Sequence, residues 1–344
     1  MNNIIKLLKD KFSSLVARER VYNVKSYNIK EPKSFSVISD AHGDIEKFSA
    51  IMKRACQTSE NIILNGDIFD STTDKNNDEL ISIIKNSALN NKIYVVLGNH
   101  DLVEFINGKE VPSKESKMIE DLRTIPNVFV PDTPTDKPTF KTWDLGGVLL
   151  KTINLPIDYY ETGEKKEELA AYLQQAPNDE TESNNYIISA IHTPKNLIVE
   201  KTKAKVDKDS SSVLGRVVNP LTQYIVMDEL KKSNLIISGH MHGGLVPDFI
   251  RRKVEHFFGL AGPYASLFPK ICSGLYNGKN PLIISGGVTK ISPTSELGLL
   301  VKNPIFKSIL DRWLFPPEFF TLHLDNGEDS VELVESNKLV FKKK

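Results

Sequence analysis

Cysteine is scarce in this chain, since only Cys56 and Cys272 occur among its 344 residues. Two thiols so far apart do not make the cysteine framework that holds small secreted domains together. Cys56 falls in a helical pattern and Cys272 in a mostly apolar stretch. We therefore expect two buried free thiols and no disulfide.

An excess of charge of either sign is also missing. Lys plus Arg and Asp plus Glu both number 44, which gives a formal net charge of zero. Such a balance provides no overall attraction to nucleic acid or to an acidic membrane, so any such partner would have to be met by a local patch. We expect no nucleic-acid surface, and the sequence indicates no oligomeric state.

Long apolar runs are absent from residues 1–20, where charged residues interrupt each apolar stretch. The interrupting residues are Lys6, Lys9, Asp10 and Lys11. Their spacing excludes a signal-peptide core and a membrane span of about 20 apolar residues within this segment. The sequence therefore predicts an intracellular, cytoplasmic protein.

An amphipathic helix is predicted for the N-terminal segment, because apolar residues recur there at helical spacing with basic residues on the flanks. The apolar residues are Ile4, Ile5, Leu7, Leu8, Phe12, Leu15 and Val16. Two interpretations stay open: a helix on a membrane surface, which would make the protein peripheral, and a helix docked on its own core. We divide the chain into this extension, residues 1–30, and a single domain, residues 31–344.

Short apolar runs typical of buried strands follow, at residues 35–39, 62–65, 93–97, 186–191 and 235–238. Helical patterns separate the first of them, at residues 44–57 and 78–88, and another helix is predicted near 114–123. Strands that alternate with helices indicate parallel strands with crossovers, and the looser second half indicates a mixed sheet.

Three insertions and a closing hairpin complete the predicted domain. The insertions lie near residues 156–185, which are acidic with a helix near 165–175, near 194–218, which are polar and rich in lysine, and near 245–280, where aromatic and basic residues mix. The last segment could be a substrate wall, a membrane contact or ordinary packing. Residues 319–324 and 331–335 are predicted to pair around the turn Asp325-Asn326-Gly327.

Polar motifs stand at the ends of five predicted strands and contain five of the seven histidines. They are Asp40-Ala41-His42, Gly66-Asp67, Gly98-Asn99-His100-Asp101, His192 and Gly239-His240-Met241-His242. Loops at one edge of such a sheet collect ligands. Because residues two apart share a face, Asp40 and His42 can bind one ion together. Each residue alone would be explained by core hydrogen bonds, but the set indicates a two-metal site.

The bridging ligand of such a site is assigned to Asp67. Two metal ions about 3.5 to 4 Å apart need one shared ligand, and a carboxylate can bridge them whereas a neutral imidazole cannot. The ligand set contains oxygen and nitrogen donors and no thiolate, which suits Mn²⁺, Fe or Zn²⁺. We favour Mn²⁺.

In order, these motifs match the blocks D-x-H, G-D-x-x-D, G-N-H-D/E, H and G-H-x-H, so that roughly residues 34–290 resemble the calcineurin-like metallophosphoesterase superfamily. The resemblance implies an α/β fold, a four-layer αββα sandwich of two mixed β-sheets with helices outside. It also implies two divalent metal ions. One would be bound by Asp40, His42, Asp67 and His242, and the other by Asp67, Asn99, His192 and His240.

The resemblance further implies a phosphoester hydrolase, in which a metal-bridging hydroxide attacks phosphorus in line. His100 matches the residue proposed as general acid, and Asp70 matches the carboxylate that orients its imidazole. Asp101 is expected to support its loop by hydrogen bonding. His256 and His323 match no motif, so we expect ordinary structural roles for both.

The chain departs from the protein phosphatases of this superfamily, which carry one Arg after the second Asp of G-D-x-x-D and another just after N-H-E. Here the first position is Ser71, and Leu102, Val103 and Glu104 follow Asp101. The departure favours the bacterial phosphodiesterase-like branch, with cell-envelope and lipid-linked pyrophosphate hydrolases, and hence a phosphate-ester substrate that could be amphiphilic. The alternatives are a phosphomonoesterase or protein phosphatase, and a non-catalytic binding module on the same fold.

Overall fold

The described part of the chain is built on two large β-sheets. A computed structural model describes residues 15–106, 109–113, 116–135, 138–156, 185–194, 229–242, 272–278, 280–289 and 316–341. The strands are β1 (Leu15–Lys25), β2 (Lys33–Ile38), β3 (Asn61–Asn65), β4 (Lys92–Val96), β5 (Val103–Ile106), β6 (Lys109–Pro112), β7 (Val128–Phe129), β8 (Thr139–Asp144), β9 (Val148–Asn154), β10 (Tyr186–Ile191), β11 (Leu235–Ser238), β12 (Gly274–Tyr276), β13 (Leu282–Ile284), β14 (Glu318–Asp325) and β15 (Ser330–Phe341). The helices are α1 (Ile45–Thr58), α2 (Asn77–Ser87) and α3 (Lys117–Arg123).

The first sheet has seven strands in the order β15-β1-β14-β2-β3-β4-β7. Strands β2, β3 and β4 are parallel, as their alternation with helices predicted, and α1 and α2 connect them. Helix α1 begins after Asp44, whose carboxylate accepts a hydrogen bond from the Lys47 amide at 3.2 Å. Its buried face, with Phe48, Ile51 and Met52, joins one apolar core with residues of this sheet.

The second sheet has six strands in the order β12-β13-β11-β10-β9-β8. Four of them, β9, β10, β11 and β13, are parallel, and β8 and β12 pair antiparallel at the two edges. A mixed sheet was predicted for this half and is confirmed. Strands β5 and β6 form a separate two-stranded sheet.

A core between the two sheets joins them face to face. Tyr22, Phe35 and Tyr94 of the first sheet and Leu150 and Ile188 of the second are fully or almost fully buried in it. Burial of such large apolar side chains is the main stabilising contribution to a sandwich of this kind. The predicted α/β sandwich of two mixed sheets is therefore confirmed.

Helices cover the outer faces of the sandwich to different extents in the described residues. Helices α1, α2 and α3 pack on the first sheet. On the second, residues 229–231 are helical, and Leu230 is buried against the outer face with Ile153 and Ile236. The predicted helix at residues 165–175 lies outside the described residues, and so does most of the segments 194–218 and 245–280.

The N-terminal helix is corrected at Leu15 and Val16, which begin strand β1. Residues 1–14 lie outside the described residues, and the division at residue 30 stays a prediction. Strand β1 is extended because β14 pairs with it on one side and β15 on the other, so tertiary pairing overrides the helical spacing. Its buried charge is matched, since Glu19 contacts Arg54 at 3.0 Å and Arg20 contacts Glu318 at 3.3 Å.

The predicted C-terminal hairpin is wrong, although both of its strands exist. Strand β14 pairs with β1 and β2, and β15 pairs with β1, so that β1 lies between them. The N-terminal strand therefore occupies the place in the sheet that a hairpin partner would take. Sequence proximity alone had suggested the direct pairing.

Two further expectations concern the membrane and the thiols. No helix in the described ranges is both long and apolar enough to cross a membrane. Cys56 and Cys272 are free thiols; Cys272 is buried as expected, whereas Cys56 is only partly buried.

Candidate metal centre

The loops that follow β2, β3, β10 and β11 converge at one edge of the sandwich, and main-chain hydrogen bonds join them. The amide of Asp40 donates to Gly66 O and that of His42 to Asp67 O, both at 2.9 Å. On the second sheet, the Gly239 amide donates to His192 O at 2.9 Å. The strand ends that carry the sequence motifs are thus fixed to one another before any side chain is considered.

Two groups of side chains lie close enough to bind a cation each. In one group, ligand atoms of Asp40, His42 and His242 lie within 4.8 Å of one another. In the other, the same holds for Asp67, His192 and His240. The structure thereby brings together six of the seven predicted ligands, grouped as the family resemblance implied.

Asp67 lies between the two groups. Its Oδ2 atom is 3.0 Å from His192 Nε2 and 3.8 Å from His42 Nε2, so one carboxylate oxygen is close to an imidazole of each group. Asp67 also groups with His42 and His100 within 4.8 Å. This is the position that a bridging ligand requires.

Asn99, the seventh predicted ligand, is half-buried and immediately precedes the 3₁₀ turn His100–Leu102. Its neighbour His100 donates its main-chain N–H to Asp67 Oδ1 at 2.9 Å. The turn that carries Asn99 is therefore joined directly to the central carboxylate. Of the histidines outside the motifs, His323 is exposed on β14, and His256 lies outside the described residues.

Left-handed backbone conformations concentrate at this site. Within the described residues, six residues other than glycine have positive φ, and the sixth beside the five candidate ligands is Asn127. The five are Asp40, His42, Asp67, His240 and His242, with φ between 45° and 67°. Each such conformation costs about 1 to 2 kcal/mol and persists only where the surrounding structure enforces it.

Main-chain carbonyls orient two of the imidazoles. His192 Nδ1 is 3.0 Å from Asn65 O, and His242 Nδ1 is 2.6 Å from Thr289 O. A carbonyl can only accept, so Nδ1 carries a proton in both rings and Nε2 faces the site. Histidines that bind metals are usually held in this way.

Buried polar atoms without a hydrogen bond support a cation site. Asp40 is fully buried; its Oδ1 accepts the His240 amide at 2.9 Å, whereas its Oδ2 has no hydrogen-bond partner in the described residues. His42 is also buried, and neither ring nitrogen makes a hydrogen bond in the same ranges. Buried atoms of this kind carry a full desolvation cost, which a bound divalent cation would offset. The residues present therefore fit a metal ion.

The pKa values of the buried groups shift in opposite directions. Burial lowers the pKa of His192, but the charges of Asp67 and Asp40 outweigh it and raise the value to about 10. Burial raises the pKa of Asp67, yet His192, His100 and His42 together hold it well below its usual range. Burial also lowers the pKa of His42, but the nearby Asp70 carboxylate and the charges of Asp67 and Asp40 raise it above its usual value. Burial lowers the pKa of His242 to about 4, even though the charge of Asp40 raises it. The carboxylates thus favour positive charge at His192 and His42, but not at His242.

The predicted pair of His100 and Asp70 meets through the main chain. His100 Nδ1 lies 3.0 Å from the carbonyl oxygen of Asp70, whereas the Asp70 carboxylate is 3.9 Å away. That carboxylate lies nearer to His42, at 3.4 Å from Nδ1. The rings of His42 and His100 pack edge to face with centroids 4.6 Å apart. His100 keeps partial exposure, with 15 % of its side chain accessible to solvent.

Sequence reasoning missed two residues that support the site. Thr289 accepts from His242 through its carbonyl, and its own hydroxyl donates to Ala41 O at 2.8 Å. Asn154 is fully buried and accepts the Leu97 amide at 2.8 Å, next to the turn that carries Asn99. Both follow or end apolar strands, as the recognised ligands do, and this strand-end position was the available signal.

Gly98 gives a test of how tightly the loops approach. A Cβ atom at this position would lie 2.2 Å from Asp67 Oδ1 and 2.4 Å from the Asp67 amide nitrogen. We expect Gly98→Ala to lower the free energy of unfolding by about 1 to 3 kcal/mol, because neither atom can move without breaking the loop contacts. Urea denaturation measures this, with Gly278→Ala as the control, since no atom of the described ranges lies within 4 Å of a Cβ there. Equal stability of the two variants would contradict the close approach.

Comparison with known proteins agrees with this geometry. The sequence model described as calcineurin-like phosphoesterase matches residues 34–244, which is more than half of the chain. No curated protein matches the sequence significantly.

Solved structures show distant similarity. TT1561 of Thermus thermophilus is 13 % identical, with a TM-score of 0.41 over 75 % of this chain and 90 % of that one. A predicted phosphoesterase from Streptococcus pneumoniae is 12 % identical, with a TM-score of 0.34 over 91 % and 99 % of the two chains. GAP50, the anchor in the inner membrane complex of Plasmodium, is 13 % identical, with a TM-score of 0.41 over 92 % and 90 %. All three TM-scores are below 0.5, so these similarities carry no functional assignment.

Proposed function

This chain belongs to the calcineurin-like phosphoesterase family, and on that premise we propose that it is a dinuclear-metal-dependent phosphodiesterase. The observation that supports the proposal most directly is the pair of ligand groups on either side of Asp67. Asp40, His42, Asp67 and His242 would hold one ion, and Asp67, Asn99, His192 and His240 the other. Oxygen and nitrogen donors without a thiolate favour Mn²⁺, with Fe and Zn²⁺ as the other suitable metals.

The site would act on a phosphate ester through groups already in place. Two divalent ions held by these residues would supply positive charge for the phosphate oxygens and a water of lowered pKa as the nucleophile. His100, which lies beside Asp67 and His42, is the proposed general acid. Because its Nδ1–H donates to the Asp70 carbonyl, Nε2 is the atom that would deliver a proton to the leaving oxygen.

A diester is favoured over a monoester by the residues at the positions where the protein phosphatases of this superfamily carry arginine. A monoester carries a second negative charge, which the protein phosphatases of the family meet with arginine. The corresponding residues here are neutral or acidic: Ser71, Leu102 and Val103 are buried, and Glu104 accepts a hydrogen bond from Ser113. Their side chains provide no cation for that extra charge.

An amphiphilic substrate and a peripheral membrane contact stay predictions. They depend on residues 1–14 and on the segment 245–280, which lie wholly or mostly outside the described residues. A cytoplasmic location stays a prediction as well.

Metal-stripped protein with Mn²⁺, Zn²⁺ or Fe²⁺ added back tests the proposal. We expect metal-dependent hydrolysis of bis-p-nitrophenyl phosphate that exceeds hydrolysis of p-nitrophenyl phosphate at equal concentration. Faster turnover of the monoester would instead support a phosphomonoesterase. Bound metal without turnover of either compound would point to a binding module and contradict the proposed activity.

A further inference from the structure

Asp101 is a buried carboxylate enclosed by main-chain amides. Only 2 % of the surface of Asp101 is exposed to solvent. Oδ2 accepts hydrogen bonds from the amides of Asp67 and Gly98, each at 2.8 Å, and Oδ1 accepts the Phe69 amide at 3.0 Å. One side chain therefore joins the loop after β3 to the turn after β4.

The Asp67 carboxylate makes the reciprocal bond, since its Oδ1 accepts the His100 amide at 2.9 Å. The Asp67 carbonyl accepts the His42 amide at 2.9 Å. The amide, carbonyl and carboxylate of Asp67 are thus all tied to neighbouring loops. Its φ of 52° needs such restraint, because the left-handed region is unfavourable for a residue with a Cβ.

A carboxylate suits this position better than any other side chain of its size. Three amide donors point at it, and a carboxylate can accept all three because it has about four lone-pair sites and no hydrogen. An asparagine would place an NH₂ group against at least one of these amides. Buried carboxylates that accept several amide bonds hold loops in defined geometry at the cost of desolvation.

We infer that Asp101 is a positioning residue that sets the geometry of the bridging ligand Asp67 and of the Asn99–His100 turn, without contacting a metal ion itself. Asp101 is in none of the close side-chain groups that could hold a cation in the described residues. The inference rests on the proposed two-metal site. It states that a residue behind the ligands fixes their geometry.

Binding of Mn²⁺ alone, measured by calorimetry, tests the inference independently of activity. We expect Asp101→Asn to weaken Mn²⁺ binding by about 10- to 100-fold, the range found for residues behind metal ligands. Asp325→Asn is the matched control, because Asp325 also accepts a main-chain amide, that of Asn326 at 2.8 Å, but is exposed at the end of β14. The control should bind as tightly as the unchanged protein.

Asp101→Glu is the conservative variant and keeps both acceptor oxygens. We expect it to bind Mn²⁺ more tightly than Asp101→Asn and within about tenfold of the unchanged protein, which a general packing role would not predict. If Asp101→Asn does not fold, the Mn²⁺ affinity of Asp101→Glu relative to that of the unchanged protein tests the inference. Wild-type binding by Asp101→Asn, or no binding by folded Asp101→Glu, would overturn the inference. Absence of Mn²⁺ binding in the unchanged protein would instead remove the proposed function.

Discussion

Asp67→Ala is expected to lose both metal ions and to lower turnover of a phosphodiester at least about a thousandfold. The reason is its central place: Oδ2 lies 3.0 Å from His192 and 3.8 Å from His42, and Oδ1 accepts the His100 amide. Without it, Asp40 would be the one carboxylate left among the proposed ligands of two cations. Metal content per chain and turnover of bis-p-nitrophenyl phosphate measure the two effects.

Asp78→Ala is the control for this loss. Asp78 is an exposed carboxylate in the first turn of α2, so its removal changes the net charge by the same amount outside the site. We expect its metal content and turnover to equal those of the unchanged protein. Full metal occupancy with normal turnover in Asp67→Ala would exclude the bridging role.

His100→Ala is expected to keep both metal ions and to lose about 10² to 10⁴ in turnover for diesters with poor leaving groups. A leaving alkoxide of high pKa needs a proton, whereas p-nitrophenolate departs without one. The loss should therefore grow along a series of diesters as the pKa of the leaving alcohol rises. Turnover measured across such a series, with metal content determined on the same samples, gives the dependence directly.

His323→Ala is the matched control, since His323 is an exposed imidazole on β14 and makes none of the site's contacts described above. It should behave as the unchanged protein for every leaving group. A loss in His100→Ala that is the same for all leaving groups would contradict a role as general acid. Loss of metal from that variant would instead make His100 a ligand.

Strand ends were the part of this fold that the sequence could predict. A buried parallel strand is a short continuous apolar run, so β2, β3, β4, β10 and β11 were visible as local patterns. The polar motifs follow these runs directly in the chain. Their convergence within each sheet needed only the rule that parallel strands end at the same edge. That the two sheets bring these ends to one site was implied by the family resemblance.

Pairing between distant segments could not be predicted in the same way. Residues 15 and 16 fit a helical pattern, but their pairing with residues 341 and 340 of β15 decides their conformation. The hairpin of β14 and β15 failed for the same reason, because the strand between them comes from the opposite end of the sequence. Local periodicity holds no information about such a neighbour.

The contacts that orient the ligand side chains could not be predicted from the sequence either. The sequence paired the Asp70 carboxylate with His100, yet the closer contact of His100 is the Asp70 carbonyl. Every residue has a carbonyl, so a motif of side chains cannot show which one is used. Thr289 supports His242 by the same kind of contact.

The left-handed backbone of the ligand residues restricts which amino acids this edge of the sheet can accept. Besides glycine, aspartate, asparagine and histidine are the residues that occupy positive φ most readily, and they are also donors of oxygen and nitrogen to metals. Backbone geometry and metal coordination thus favour the same few residue types at Asp40, His42, Asp67, His240 and His242. In a homologue without hydrolytic activity, the main chain would still require these residue types. The ligand residues would therefore be retained after catalysis was lost.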